Sequence, residues 1–385
     1  MNFLLAPNAM KGALSALRIA QIMERELSGF KNQTTLLYPI ADGGNGTLDC
    51  LISALGGTII ETEVSGIISS EKISSRYGIL PDNTTAIIES AEAIGLHKIS
   101  PFLSPSPETI AHASSRGLGE LMNHAIGRGC TKLIIGLGGS ATNDGGAGMA
   151  RVLGFELLDS NGEEIKDGAL NLVRLAKYNP TLPSPTRGGL RMGQITILAD
   201  VKNILLGEHG ATYTFAKQKG ASEEQLPLLE SALKNFADVV EEKIGKEFRN
   251  IPGSGAAGGL GFGLMALCNA EIVSGIDFIL DAIRFDEKLH TCDCVITSEG
   301  QLDEQTLFGK GIFGIVQRAK KYNKPVHAFV GRIQGDTEKL QHQLGLASLI
   351  EISPKHTPTE QAMNNAEELL IHAVKIFAAK LIEKK

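Results

Sequence analysis

Residues 132–154, KLIIGLGGSATNDGGAGMARVLG, restrict the possible folds of this chain more than any other stretch. Leu133-Ile134-Ile135 is an apolar run of the length of a buried strand. The chain then enters a loop carrying Gly136, Gly138 and Gly139 and resumes as a helix near Ala147. Ser140, Thr142 and Asn143 stand where that helix should begin, and such side chains cap a helix by accepting its free N–H groups. Glycines allow close approach of backbone to a ligand, and a helix N-terminus presents unpaired donors and partial positive charge. Two readings follow. One is an anion cradle with the carboxylate of Asp144 inside it; the other is a tight strand-to-helix turn.

The same strand, loop, helix order recurs at both ends of the chain. Residues 2–6 read as a strand broken at Pro7, followed by the loop 8–12 and a helix capped by Ser15 that runs to about 27. Residues 35–40 form a second strand, with the loop 41–47 and a helix to about 55 behind it. Near the other end come a strand at 293–297, the loop 298–303, a helix from about 312 and strands at 325–330 and 349–352. A helix from 358 closes the chain. This rhythm marks a doubly wound parallel sheet, whose ligands sit beyond the C-terminal strand ends. Lys11 and Asp42 fall on such ends, as functional groups or as solvated loop residues.

The middle of the chain differs. Residues 58–64, 72–80 and 85–89 alternate or run apolar with turns between them, which reads as an antiparallel meander. A helix over 109–127 carries Ser114, Ser115, Arg116 and Gly117, which line a site or face solvent. A strand is expected at 155–158, and 178–193, rich in proline and glycine, reads as a surface insertion. The strand 195–198 leads into Asp200, placed for chemistry or for capping the next turn. A charged amphipathic helix covers 222–244. Gly253, Gly255 and Gly258 spell GxGxxG, but no strand leads directly into them, so a dinucleotide site is rejected. A glycine-rich anion loop or a close-packed helix start remains. The fold expected is α/β: a flavodoxin-like parallel-sheet domain built from both chain ends, 1–58 and 286–385. An α+β domain, 59–285, is inserted and carries the GGSATNDGG loop.

Composition narrows the function. The formal net charge is −6, without a basic block and with few aromatics, so nucleic acid is not an expected partner. No run approaches the roughly 18 apolar residues of a membrane span, and the start has no charged n-region of a signal peptide. Five cysteines, odd in number and without metal or disulfide spacing, point to a reducing cytoplasm. Lys11, Asp42, Ser140, Asn143, Asp144, Asp200, Glu299, Asp303 and Lys310 all read as lying in glycine-bearing loops after strands. Several carboxylates, lysines and anion loops suit phosphoryl transfer with magnesium, where a protein chiefly positions groups and neutralises charge. Neither a Walker A pattern nor a protein-kinase motif set is present.

The residues resemble the type 1 glycerate kinases. The match runs through Ala6-Pro7 with Lys11, Pro39-Ile-Ala-Asp-Gly-Gly44, Gly117-Leu-Gly-Glu-Leu121 and Ile135-Gly-Leu-Gly-Gly-Ser-Ala-Thr-Asn-Asp-Gly-Gly-Ala-Gly-Met149. It continues through Asp200-Val201, Gln218-Lys-Gly-Ala221, Gly255-Ala-Ala-Gly-Gly-Leu-Gly261 and Glu299-Gly300 with Asp303, Gln305, Gly309 and Lys310. The resemblance implies an ATP- and Mg2+-dependent kinase acting on D-glycerate, 2-phosphoglycerate as the usual product, and a two-domain chain with its cleft between domains. On this reading Asp200, Lys11 and Asp303 are the catalytic candidates. Asp42, Ser140, Asn143, Asp144, Ser115, Arg116, Glu299, Gln305 and Lys310 would bind substrate or phosphate, and Asp200 and Asp42 would hold metal. No membrane partner is implied, and a homodimer is an allowed assembly.

Three departures stand out. Asn8-Ala9-Met10-Lys11 replaces the family's common Asp-Ser-Phe-Lys, Ala199-Asp-Val-Lys-Asn-Ile-Leu205 its Cys-Asp-Val-x-Asn-Pro-Leu, and Phe215-Ala-Lys-Gln-Lys219 its Phe-Gly-Pro-Gln-Lys. The carboxylate missing at Asn8 supports an alternative function, a catalytically weak relative that senses a hydroxy acid or nucleotide.

Overall fold

The computed structural model describes residues 1–28, 33–98, 105–180, 193–302 and 311–383. The chain divides into two compact units. The first comprises Met1–Asp42, Asp49–Ala54 and Ile276–Lys385; the second comprises Gly43–Leu48 and Leu55–Gly275.

The first unit is built on a five-stranded sheet in the order Ser348–Glu351, Val326–Ile333, Cys294–Leu302, Asn2–Pro7, Thr34–Leu37. Every pairing is parallel. Numbered along this unit the order is 2-1-3-4-5, the flavodoxin-like arrangement expected from the repeated strand, loop and helix. The strands are nearly continuous apolar runs because both sheet faces are covered. Phe3, Leu5, Ile296 and Phe329 pack with Ile19, Ile22 and Met23 of helix Ala16–Ser28 and Leu370, Val374 and Phe377 of helix Ala366–Glu383. Leu4, Val295 and Ala328, from alternate positions, are buried as well. Ser15 caps the first helix as expected, its Oγ accepting the Arg18 N–H at 3.2 Å. The order reverses between Asn2–Pro7 and Cys294–Leu302. At such a switch point loops diverge and leave a crevice at the strand C-termini.

The second unit holds a six-stranded sheet in the order Glu271–Val273, Gln194–Leu198, Lys132–Gly136, Thr85–Glu89, Lys72–Ile79, Thr58–Ser65. The first four strands are mutually parallel, and the last three form the expected antiparallel meander. The turn after Ile79 is fixed by Asp82, which accepts the N–H groups of Thr84 and Thr85 at 2.9 Å each. With the Thr85 hydroxyl, these donors hold the Asp82 carboxyl down at about 2. Helix Leu226–Ile244 lays Leu233, Phe236 and Val240 into the core, where Phe236 meets Phe262 edge to face at 5.8 Å.

Several expectations are corrected. The helix expected over 109–127 is two helices, Pro107–His112 and Arg116–Gly127, because the intervening Ser115 turns its backbone N–H and its hydroxyl to Asp144. The strand expected to end at Thr297 continues to Leu302, held by pairing through Leu302 and Ile333. Glu299 therefore lies on a strand and not in a loop. The closing helix is interrupted at Asn365, giving Thr359–Asn364 and Ala366–Glu383. Glu271–Val273 and Lys177–Asn179 are short strands without a sequence signal; the latter pairs with the expected strand at Glu156–Leu158.

Candidate functional site

The described candidate residues gather in two clusters, one within each unit. In the first unit the cluster lies at the switch point. Pro7 and Ser298 are paired across the sheet, so Asn8, just past the end of its strand, lies beside Glu299 within the neighbouring one. The Asn8 Nδ2 donates to Glu299 Oε2 at 3.1 Å, while Asn8 Oδ1 accepts the Ala9 N–H at 2.8 Å. These two partners fix the orientation of the amide. The Asn8 backbone is clamped as well, its N–H donating to the Ser298 carbonyl and its carbonyl accepting the Ser298 hydroxyl. Asn8 is 2% exposed and Glu299 7%. Burial pushes the Glu299 carboxyl up to about 7, and the nearby Asp42 charge adds to the effect. Lys11 and the Asn8 amide act the other way. Lys11 Nζ lies 3.9 Å from Asp42 Oδ2, with the lysine well exposed. Lys11, Asp42 and Glu299, singled out separately in the sequence, thus share one electrostatic neighbourhood at the C-terminal edge of the sheet.

In the second unit the C-terminal ends of the parallel strands carry Glu89, the glycine loop, Asp200 and Ser274. The loop does not start its helix through Ser140, Thr142 or Asn143. Helix Ala147–Val152 begins after Gly146, at φ +87°, and no side chain caps it from that position. The donors at its start belong instead to Asp144. Its Oδ1 accepts Gly146 N–H and its Oδ2 accepts Gly148 N–H, both at 3.2 Å; Oδ2 also takes the N–H and hydroxyl of Ser115 at 2.7 and 2.8 Å. The Ser115 hydroxyl oxygen in turn accepts the Met149 N–H at 2.9 Å. Asp144 is 1% exposed, and burial raises its pKa against the pull of these donors. Arg116, next to Ser115, faces Asp167 at 2.8 Å, and Asp167 also meets Arg151.

The loop is pinned on its other side. Ala141 N–H donates to Ile94 O at 2.7 Å and Leu96 N–H to Gly139 O at 2.9 Å. Behind it runs the GxGxxG segment, at the start of helix Ala256–Cys268. Gly258 has φ +68°, and a β-carbon there would stand 2.0 Å from the Thr142 carbonyl oxygen. That segment is a close-packed helix start, as one of its two readings held. Within the tightly packed loop, Ser140 Oγ, Thr142 Oγ1 and Asn143 Oδ1 are buried with no hydrogen-bond partner among the described residues. Buried polar atoms of this kind await water or a ligand. Asn143 Nδ2 does have one, donating to Thr212 Oγ1 at 3.3 Å. Asp200 Oδ1 accepts Gly275 N–H at 2.9 Å and the Ser274 hydroxyl at 3.2 Å.

Asp303, Gln305 and Lys310 lie outside the described residues. Sequence reasoning gave no role to Lys219, which donates to the Thr142 carbonyl at 2.7 Å. Its signal was the Gln-Lys-Gly-Ala motif, where Gly220 at φ +105° turns the chain directly after the lysine. Thr142 and Ser274 were also missed as site residues.

A family model described as the glycerate kinase family matches residues 3–382. A glycerate kinase of Bacillus subtilis is 39% identical over 99% of this chain and 98% of its own length. A glycerate 2-kinase of Escherichia coli is 37% identical over 99% of this chain and 98% of its own. A crystal structure of a protein assigned as glycerate kinase 2 in Salmonella typhimurium LT2 superposes with a TM-score of 0.80 at 35% identity. It covers 100% of this chain and 99% of that one.

Proposed function

Because this chain belongs to the glycerate kinase family, we propose that it transfers the terminal phosphoryl group of ATP to the 2-hydroxyl of D-glycerate, with Mg2+ accompanying the nucleotide. The observation that carries this reading is the similarity to glycerate kinases over nearly the whole of both chains. The motifs that resemble type 1 enzymes support a reading within that branch. The reaction asks a protein to position two anionic substrates, offset their charge and accept one proton.

The chain has a residue for each task. Lys11 is a compact, exposed cation at a strand end, suited to a phosphoryl oxygen or the glycerate carboxylate. Asp200, at the end of Gln194–Leu198, is oriented by Ser274 and Gly275 and is the candidate acceptor for the hydroxyl proton. Ser140 and Asn143 offer buried oxygen atoms that lack partners, which suits recognition of a hydroxy acid or a phosphate. Asp144 acts through Ser115 and the helix start, holding the loop in shape. Magnesium typically binds through one or two carboxylates together with phosphate oxygens and water, and Asp42 and Asp200 are carboxylates suited to it. When bound, the ion would neutralise charge on the phosphates.

No helix among the described residues is long and apolar enough to cross a membrane. The cysteines are all free and buried, and the enzyme is assigned to the cytoplasm. The sensor alternative rests on Asn8, whose amide is built into the Glu299 cluster. An ADP-release assay with D-glycerate decides between the two. Turnover at rates typical of kinases, roughly 1–100 per second, supports the enzyme. Binding of D-glycerate without turnover supports the sensor.

A further inference from the structure

Lys219 is the least expected charge in the second unit. It is 3% exposed, yet among the described residues no carboxylate forms an ion pair with it. Asp144 acts on it electrostatically, but the Asp144 oxygens are already engaged by Ser115, Gly146 and Gly148. An ammonium carries three N–H donors. Among the described residues the Thr142 carbonyl takes one, at 2.7 Å, and the other two are left for a ligand. The loop that Lys219 touches is the one whose Ser140 Oγ, Thr142 Oγ1 and Asn143 Oδ1 are buried without partners. Donors and acceptors without partners on two adjoining segments, in a place that excludes water, are costly unless something binds them.

We propose that Lys219 is the cation of an oxyanion-binding site formed with the Ser140–Asn143 loop, a role that rests on the kinase reading. The ligand is an oxyanion of a substrate, either the carboxylate of the hydroxy acid or a phosphate of the nucleotide. The ammonium meets the anion with its two remaining N–H groups, and the hydroxyls of Ser140 and Thr142 donate beside it. The hydrogen bond to the Thr142 carbonyl ties cation and loop together. Burial lowers the Lys219 pKa to about 7, and among the described residues Asp144 is the one titratable group that opposes this. Anion affinity therefore falls as pH rises through that value, because the neutral amine loses its Coulombic attraction. A lysine that only braced the loop would donate to Thr142 in either protonation state and show no such dependence.

The test is calorimetric titration of the full chain with D-glycerate, ATP and inorganic phosphate, each from pH 6 to pH 8.5. Wild type and Lys219→Met are compared, with folding of the variant checked by circular dichroism. The expected result is at least a tenfold loss of affinity in Lys219→Met for one of the two substrates, naming the source of the anion. Its pH dependence in wild type should vanish in the variant. Unchanged affinity for all three ligands in a folded variant overturns the proposal. Should Lys219→Met fail to fold, the wild-type titration decides: affinities for both substrates and phosphate that stay flat across pH 7 overturn it as well. If neither glycerate nor ATP binds wild type, the kinase reading has failed, and inorganic phosphate alone tests Lys219.

Discussion

Replacing Gly258 with alanine tests how the glycine loop is held. The residue sits at φ +68°, where a β-carbon costs roughly 1–2 kcal/mol. The new methyl would stand 2.0 Å from the Thr142 carbonyl oxygen, against an ordinary carbon–oxygen contact of about 3.4 Å. The neighbouring atoms are backbone atoms of Thr142 and Asn143 at 2.8 Å, so no flexible side chain can yield. The carbonyl must retreat by more than about 1 Å, which breaks its bond to the Lys219 ammonium. Hydrogen bonds to charged groups contribute about 1.5–3 kcal/mol, so Gly258→Ala should destabilise the second unit by about 2.5–5 kcal/mol in total. Urea denaturation followed by circular dichroism measures this loss, and initial rates on D-glycerate measure the effect on the loop. Catalysis should weaken even at temperatures where the variant remains folded. A change under about 1 kcal/mol together with wild-type kinetics would show that the loop is not set by this contact.

Other substitutions probe the clusters separately. Asp200→Asn keeps shape and removes charge, so kcat should fall by roughly 10²–10⁴ with the denaturation midpoint little changed; a loss under about threefold would remove Asp200 as the base. Lys11→Met should lower kcat sharply, and Asn8→Asp should lower the Mg2+ concentration needed for half-maximal rate by adding a carboxylate beside Glu299; Mg2+ titrations at saturating ATP read both. Glu299 has a folded pKa raised from 4.5 to about 7, so its favourable contribution is complete below pH 4.5 and lost as pH rises through 7. Glu299→Gln escapes that loss. In the absence of magnesium its stability relative to wild type should rise between pH 4.5 and pH 8 by about 3 kcal/mol, at 1.36 kcal/mol per pH unit. A constant difference between the two proteins across this range would refute the buried, ionising Glu299.

The first sheet was readable in the sequence because its strands are rich in apolar residues and each leads through a loop into a helix. The flavodoxin-like class followed from that repetition, since right-handed crossovers leave few alternatives. The second unit was harder to read. Its helix break at Ser115 depends on Asp144, twenty-nine positions away, and no local propensity records such a contact. For the same reason Ser140, Thr142 and Asn143 were expected to cap a helix that Asp144 caps instead. The candidate residues Lys11, Asp42 and Ser140 were visible as polar groups beside glycines after strands, and Asp200 as a carboxylate just past a strand. Lys219 was not, because a lysine between Gln218 and Gly220, two residues after Lys217, looks solvated until tertiary packing buries it.

Phosphorus NMR of the purified reaction product tests the central claim most directly. With D-glycerate, ATP and Mg2+ supplied, the account predicts one new phosphate monoester resonance coupled to the single proton on carbon 2, appearing in step with ADP. A resonance coupled to the two carbon 3 protons would contradict the assigned acceptor hydroxyl. ADP formation without any glycerate ester, or no reaction at all, would contradict the kinase assignment itself.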